Sequence, residues 1–403
     1  MIFKILIISI YVVITIQSTT RQQQLYDRRS SYSDGIALPP KSGYRLYSNR
    51  VYFDGQVVSG LSALSFEDLG YGYAKDSWDV FYIGTKIQGA SASSFRLLDD
   101  QYAKDSVDIF YGEKKVQGAS VSSFQVLGNV LGDQYSKDFL NVFYAEKKVQ
   151  DASSSTFQVL DNGYAKDSLD VFYAGEKVVY ASASSFRVLG DQYARDSLYT
   201  YYAGTKVMDT FASSFQVLSK GYAKDSWNIF FLGRKIPNAS TSEFIVLDDQ
   251  YSKDLLNVFY NGEKVAHALA PSFQVLGDQY GKDSWDVFYA GKIIQGASAS
   301  SFERKFQQIT KEYTRPGISQ LLYLGFGYAK DSIHVFFMGK KMTGTFSTSF
   351  QVLGDLYAKD SIDVFYAGKK IQGALNSSFQ VLGNGYAKDS LNTYYMGEKV
   401  RNG

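Results

Sequence analysis

A ten-residue motif recurs eleven times in this chain and constrains its fold more than any other feature. The copy at residues 73–82 runs Tyr-Ala-Lys-Asp-Ser-Trp-Asp-Val-Phe-Tyr. Eight of the ten intervals between opening tyrosines are 29 residues, and the other two are 33 and 48. A fixed period of this size predicts a repeat architecture in which each unit packs mainly on its neighbours. The opening tyrosines are Tyr73, Tyr102, Tyr135, Tyr164, Tyr193, Tyr222, Tyr251, Tyr280, Tyr328, Tyr357 and Tyr386.

The repeats extend beyond the clear copies, and two insertions interrupt them without loss of frame. A degraded copy begins at Tyr44, 29 residues before Tyr73. Residues 44–403 are therefore expected to form an array of about twelve units. The insertion 128–131 is expected to lengthen one turn. The insertion 304–322 places Phe306, Ile309 and Tyr313 at helical spacing, which predicts a short helix on one face of the array.

The conserved spacing within the repeat predicts short strands joined by tight turns. If the opening tyrosine is position zero, position three is Asp in all eleven copies and position six is Asp or Asn in nine. These residues favour tight turns, so 76–79 is expected to join a strand at 73–75 to a strand at 80–82. Glycine at position eleven, in nine copies, predicts a second hairpin leading to a short third strand.

The last third of the repeat is expected to form one turn and a fourth strand. Ser91 is expected to cap a helical or 3₁₀ turn, and Phe95 to point into the core. Leu98 is expected to end the fourth strand. The strand at 80–82 has no apolar–polar alternation, so both of its faces should be covered.

These features predict an all-β protein of tandem 29-residue repeats. Each repeat is a β-meander of short antiparallel strands, and the repeats are expected to stack in an elongated, solenoid-like array. A β-propeller is the alternative, although propeller blades usually need about 40 residues.

The repeat also resembles a known family. Residues 164–178 (Tyr-Ala-Lys-Asp-Ser-Leu-Asp-Val-Phe-Tyr-Ala-Gly-Glu-Lys-Val), followed by Ser-Phe-Arg-Val-Leu at 185–189, are similar to the DKNYY repeat family. The resemblance covers about residues 44–403. In this chain the Asp-Lys-Asn turn of the family is replaced by Asp-Ser-apolar, and the Asp-Pro before the phenylalanine is usually Ala-Ser. The family has no established activity, so the resemblance implies an architecture and no catalytic or binding residue.

Composition argues against several classes of function. The net charge is +2, with 42 basic and 40 acidic residues, which gives no electrostatic footprint for nucleic acid or for a membrane surface. The chain has no cysteine, so disulfides and thiolate chemistry are excluded. His267 and His334 are its two histidines, and neither belongs to a recurring constellation. We therefore expect no enzyme activity, no catalytic residue and no cofactor.

The N-terminal segment predicts secretion. Residues 1–20 combine Lys4, an apolar run at 5–16 and small residues at 18–20, which is typical of a signal peptide. The apolar run is shorter than a spanning helix needs, so no stable membrane insertion is expected after signal removal. Residues 21–43 form a polar leader. Two glycosylation sequons, at Asn238 and Asn376, are compatible with an extracellular location.

Three recurring side-chain types are candidates for binding. The paired carboxylates Asp76 and Asp79 are candidate calcium ligands, although a plain turn is preferred and no metal site is assigned. Lys75 and its equivalents (Arg195 in one copy), with a second lysine at position thirteen, are a candidate basic ladder, and solvated strand faces with cross-strand pairs are the preferred interpretation. Trp78, Trp227 and Trp285 at position five are candidates for stacking on sugar rings, with packing between repeats preferred.

The sequence thus predicts a secreted, non-catalytic structural or protein-interaction scaffold. A carbohydrate-binding module is the alternative, and the partner is a protein or glycan of unknown identity. The two hypotheses differ in whether the position-five residues line an open face or pack into the neighbouring repeat.

Overall fold

The computed structural model describes residues 43–127, 134–302 and 327–400, in two compact units divided between residues 184 and 185. The described residues form 46 strands and four 3₁₀ helices. The expected signal peptide, nearly all of the polar leader, the longer turn expected at 128–131 and the helix expected in the insertion 304–322 lie outside the described residues.

Four kinds of strand recur in each repeat. The opening strands begin at the repeat tyrosine: Tyr44–Tyr47, Tyr73–Lys75, Tyr102–Lys104, Tyr135–Lys137, Tyr164–Lys166, Tyr193–Arg195, Tyr222–Lys224, Tyr251–Lys253, Tyr280–Lys282, Tyr328–Lys330, Tyr357–Lys359 and Tyr386–Lys388. The central strands follow the Asp turn: Arg50–Phe53, Val80–Tyr82, Ile109–Tyr111, Val142–Tyr144, Val171–Tyr173, Thr200–Tyr202, Ile229–Phe231, Val258–Tyr260, Val287–Tyr289, Val335–Phe337, Val364–Tyr366 and Thr393–Tyr395.

The other two kinds are mostly shorter. The third strands are Gln56–Val57, Thr85–Lys86, Lys114–Lys115, Lys147–Lys148, Glu176–Lys177, Thr205–Lys206, Arg234–Lys235, Glu263–Lys264, Lys292–Ile293, Lys340–Met342, Lys369–Lys370 and Glu398–Lys399. The leading strands, which precede an opening strand, are Glu67–Gly70, Arg96–Leu97, Gln125–Val126, Gln158–Val159, Arg187–Gly190, Gln216–Ser219, Ile245–Val246, Gln274–Gly277, Gln351–Gly354 and Gln380–Gly383.

Each four-stranded antiparallel sheet combines the opening, central and third strands of one repeat with the leading strand that ends the preceding repeat. The order within a sheet is leading, opening, central and third strand, and the described residues form twelve such sheets, ten with four strands and two with three. The opening and central strands pair in one register throughout; in one repeat Tyr193 lies opposite Tyr202 and Ala194 opposite Tyr201. The predicted all-β meander is confirmed. Within neither unit do the described sheets close into a barrel or a propeller.

Consecutive sheets within a unit pack face to face and bury both faces of the central strand. Each sheet carries its opening tyrosine, such as Tyr193, on one face. The residue at position eight of its central strand lies on the opposite face. Phe215 fills the space between two sheets: its ring lies 5.4 Å from that of Tyr193 and 5.5 Å from that of Phe230 in the next repeat. Because each sheet contributes to a core on either side, its central strand needs apolar residues at successive positions.

The opening tyrosines also link consecutive repeats by hydrogen bonds. The Tyr193 hydroxyl donates to the carbonyl oxygen of Gly221 at 3.0 Å and accepts the backbone N–H of Gly233 at 2.9 Å. Tyr280 makes the same two bonds across the long insertion, to Gly327 and Gly339. The hydrogen bonds between consecutive repeats are therefore the same where the 48-residue interval replaces the 29-residue period, as the sequence predicted.

The turn before the repeat phenylalanine differs from the sequence prediction in one respect. It is a 3₁₀ helix in four repeats, at Ala212–Ser214, Ala270–Ser272, Ser347–Ser349 and Asn376–Ser378. Phe95 and its equivalents at these turns are buried, as expected. The serine cap expected at Ser91 has no counterpart in these helices, because position eighteen is not serine in them. Their N-cap residues are Phe211, Leu269, Phe346 and Leu375, and none caps through its side chain.

Candidate interaction surface on the repeat turns

The aspartate at position three organises the turn between the opening and central strands. In one repeat, Asp225 Oδ1 accepts the backbone N–H groups of Trp227 and Asn228, each at 2.8 Å. Its Oδ2 accepts the N–H of Phe211, in the loop of the preceding repeat, at 3.0 Å. This carboxylate therefore shapes its own turn and holds the preceding loop at Phe211, the N-cap residue of the 3₁₀ helix.

The same three bonds recur throughout the described repeats, and they change the acidity of several of these carboxyl groups. Burial opposes ionisation, but the backbone N–H donors outweigh it and hold the pKa of Asp76, Asp254 and Asp331 below its ordinary value. The aspartates that make all three bonds are Asp76, Asp105, Asp138, Asp167, Asp225, Asp254, Asp283, Asp331, Asp360 and Asp389.

These bonds argue against calcium binding by the position-three aspartates. Both oxygens of the position-three carboxylate accept backbone N–H groups, so they face donors rather than open space for a cation. Within the part of the chain that the structure describes, no group of three or more His, Asp or Glu side chains is placed to hold a metal ion.

The side chain at position five is exposed in every clear copy. Its exposed fraction runs from 60% at Ile362 to 82% at Trp78. The preferred expectation that these residues pack between repeats is therefore wrong. The space between sheets is filled by positions zero, seven, fourteen and twenty-two and by the next repeat, while position five stands at the tip of the turn.

Because the turns within a unit are joined to the preceding loops in the same way, successive tips of that unit lie along one edge of its stack. We call these series the tip rows. The first unit's tip row is Trp78, Val107, Leu140 and Leu169; that of the second unit is Leu198, Trp227, Leu256, Trp285, Ile333, Ile362 and Leu391. Sheets packed face to face stand about 10 Å apart, so adjacent tips should have a similar spacing.

A second set of exposed apolar residues, which sequence reasoning missed, flanks the tip row of the second unit. Phe211 is 52% exposed, and its N–H shares the Asp225 carboxylate with the N–H of Trp227. Leu269 and Trp285 share Asp283 in the same way. Each carboxylate thus holds two exposed apolar residues from consecutive repeats side by side. The sequence signal was an apolar residue in place of serine at position eighteen.

The lysines do not form the basic ladder that was considered. The position-two lysine donates to a loop carbonyl of its own repeat, as Lys137 does to Ser154 O at 3.0 Å. In four repeats the position-thirteen lysine pairs with the position-six aspartate, as Lys370 does with Asp363 at 2.7 Å. The preferred cross-strand pairing is confirmed in these four repeats. Charge beside the tips is therefore balanced there.

The two histidines occupy unrelated places in the repeat. His334 is at position six, with Nδ1 3.6 Å from Asp331 Oδ2. His267 lies at position sixteen in the left-handed conformation, with φ of 65°. Both positions hold other residue types in the other repeats, so neither histidine belongs to a repeated site.

Fold and surface together define a tandem β-meander repeat protein with an exposed apolar edge. The model of the DKNYY family matches residues 73–205, 193–319 and 305–398, and the chain belongs to that family. No curated protein and no solved structure matches the chain. None of the described helices has the length and apolar character required to span a bilayer.

Proposed function

We propose that this protein is a secreted, non-catalytic scaffold that binds an extracellular protein partner along its tip rows. The observation that carries the proposal is the exposure of all eleven position-five side chains, each of them Trp, Leu, Ile or Val. A single exposed apolar residue on a protein surface is ordinary. Recurrence at one position of every clear repeat is different, because it concentrates apolar area along one edge of each unit.

The energetics of the tip rows suit a multivalent interface. Burying one Leu, Ile or Trp side chain contributes about 1.5–3 kcal/mol, which is weak alone. Several tips engaged by one partner act together, since each bound tip raises the effective concentration of the next. A partner that presents apolar groups at regular intervals is the best match.

The chemistry of the tips favours a protein over a glycan. Eight of the eleven tips are aliphatic and offer no aromatic face to a sugar ring. Position-two lysines donate to loop carbonyl groups and four position-thirteen lysines pair with aspartate, so apolar contact rather than charge should dominate affinity. Secretion is supported by the signal-like segment 1–20.

Binding of the fluorescently labelled full chain to cells of the organism that makes it tests this proposal. The row variant carries Leu198→Ser, Leu256→Ser and Leu391→Ser. The control variant carries Leu232→Asn, Met338→Asn and Met396→Asn, which alter equally apolar, roughly half-exposed residues at position ten. Asparagine tolerates the positive φ found at these three control positions.

We expect the row variant to lose binding and the control variant to retain it. Protease treatment of the cells should abolish binding, and periodate oxidation of surface sugars should not. Undiminished binding by the row variant would contradict the proposal.

Carbohydrate binding is the second candidate, and the exposed aromatic pair Phe211 and Trp227 favours it. The neighbouring Asn228 is buried, and its Nδ2 donates to Asp209 O at 3.2 Å, so the exposed aromatic rings alone carry this candidate. Loss of binding after periodate treatment, together with loss in a Phe211→Ser, Trp227→Ser variant, would favour this candidate.

A further inference from the structure

We infer that Asn238 is an N-glycosylation site and that Asn376, the other sequon, is excluded by the fold. The two sequons are equivalent in sequence, since each has serine two residues after the asparagine. They occupy different positions of the repeat, and the structure gives their amide groups different surroundings.

Asn238 lies at the tip of the turn that follows the third strand, at position sixteen. It is exposed and adopts the left-handed conformation, with φ of 61°. Glycine or asparagine is the usual residue where a turn needs this conformation. Other repeats place Gly89, Gly118 and Gly296 there, and a Cβ built on any of them meets nothing within 4 Å. A side chain at position sixteen therefore projects into open space.

Ser240, the hydroxyl residue of this sequon, is also exposed. Its backbone N–H is held by Asp254 at 2.9 Å, and its hydroxyl accepts the N–H of Ser242 at 3.2 Å. These bonds leave the asparagine amide at the tip unhindered. The sequon thus stands on an exposed turn that is anchored at its C-terminal side.

Asn376 has the opposite surroundings. It begins the 3₁₀ helix Asn376–Ser378 at position nineteen, where other repeats bury Ala92, Ala212 and Ser347. Its Nδ2 donates to Asp360 O at 2.7 Å. Asn376 is half-buried, and a glycan would replace one of the two hydrogens on Nδ2 and crowd the Asp360 carbonyl that this nitrogen contacts. Chains modified there should fail to fold and should be missing from secreted material.

The reaction transfers an oligosaccharide from a polyprenyl diphosphate carrier. Asn238 Nδ2 forms a bond to C1 of the first sugar and gives up one proton. The bond between C1 and the diphosphate oxygen breaks, and its electron pair leaves with the diphosphate. In its native cell the modification requires entry into the secretory pathway, so it rests there on the proposed secretion.

The test expresses the full chain behind a host signal peptide in a eukaryotic secretory host. Released protein is treated with peptide N-glycosidase in heavy-oxygen water, and each sequon is mapped by mass spectrometry. We expect labelled aspartate at 238 and unlabelled asparagine at 376. The Ser240→Ala variant, which keeps the asparagine in its turn, should lose the label entirely.

The matched gain-of-site control is Gly296→Asn, because Ala297 and Ser298 complete a sequon at the equivalent tip. This variant should acquire a second glycan. Secreted protein without a glycan at 238, equal occupancy at 376, or an unmodified Gly296→Asn tip would each overturn the inference. If the host signal yields a glycan at 238 but the chain's own first 20 residues fail to direct secretion, the secretion proposal fails and the glycosylation inference stands.

Discussion

The Tyr193 hydroxyl accepts a hydrogen bond from the backbone N–H of Gly233, 40 residues later, at 2.9 Å. The same hydroxyl donates to Gly221 O at 3.0 Å. One buried side chain therefore satisfies a donor and an acceptor of the next repeat while its ring fills the core between the two sheets. This arrangement makes each repeat depend on its successor for stability.

Removal of that hydroxyl should destabilise the second unit. Tyr193→Phe keeps the ring but leaves a buried carbonyl and a buried N–H without this partner, which typically costs about 1–3 kcal/mol. The free energy of unfolding from urea titration measures the loss. Tyr386→Phe is the control, because Tyr386, in the last described repeat, is 45% exposed, and its loss should be within about 0.5 kcal/mol. Equal effects of the two changes would contradict this role of the hydroxyl.

Acid should destabilise the protein through the position-three aspartates. Burial opposes ionisation, yet backbone N–H donors lower the pKa of Asp389 to about 2, below its value in an unfolded chain of about 3.9. A lowered folded-state pKa contributes stability that is fully present above the unfolded value and is lost as the pH falls through the folded value. The melting temperature should therefore drop between about pH 4 and pH 2. An Asp389→Asn variant should have a lower melting temperature at neutral pH, and its melting temperature should drop less in acid. If the two proteins lose the same melting temperature in acid, the Asp389 carboxylate does not contribute this stability.

Alkali should act through the buried tyrosines. Burial raises the pKa of Tyr44 and of Tyr260 to about 12, and it also raises the pKa of Tyr193. A raised pKa favours the neutral form in the folded state, so stability is complete below the unfolded value of about 10 and is lost as the pH rises through the folded value. Tyrosinate absorbance and circular dichroism, recorded together, should change in one cooperative step above about pH 10. Full ionisation of the tyrosines with unchanged circular dichroism would show that their burial does not stabilise the fold.

Substitution at a turn tip should separate stability from binding. Trp227→Ser removes a side chain that is 74% exposed and should change the free energy of unfolding by less than about 0.5 kcal/mol. Phe230→Ala, three residues later on the fully buried face, should cost about 3–5 kcal/mol. Urea titration of both variants measures the contrast. A Trp227→Ser variant as unstable as Phe230→Ala would mean that the tip packs into the core.

Much of the fold follows from sequence periodicity. The turn at 76–79 and its flanking strands Tyr73–Lys75 and Val80–Tyr82 were predicted with the bounds that the structure gives, because Asp at fixed positions specifies a tight turn and short apolar runs specify strands. The burial of Phe95 and the need to cover both faces of the central strand were also predictable. Local chemistry fixes these features, so a single repeat contains the information for them.

The candidate surface could not be predicted in the same way. Position five is apolar in every copy, and from the sequence alone an apolar position of this kind looks like part of the core. Trp227 is exposed because other side chains already fill the space between the stacked sheets. The hydrogen bond between the Phe211 N–H and the Asp225 carboxylate joins residues of consecutive repeats that are 14 positions apart. The side-chain amides of Asn238 and Asn376 also differ only in their surroundings, because Asn376 donates to Asp360 O. Sequence alone determined the period, the strands and the turns, since these depend on residues close together in the chain. Tertiary structure decided which apolar residues face solvent and which amides are engaged, because stacking brings residues of consecutive repeats into contact.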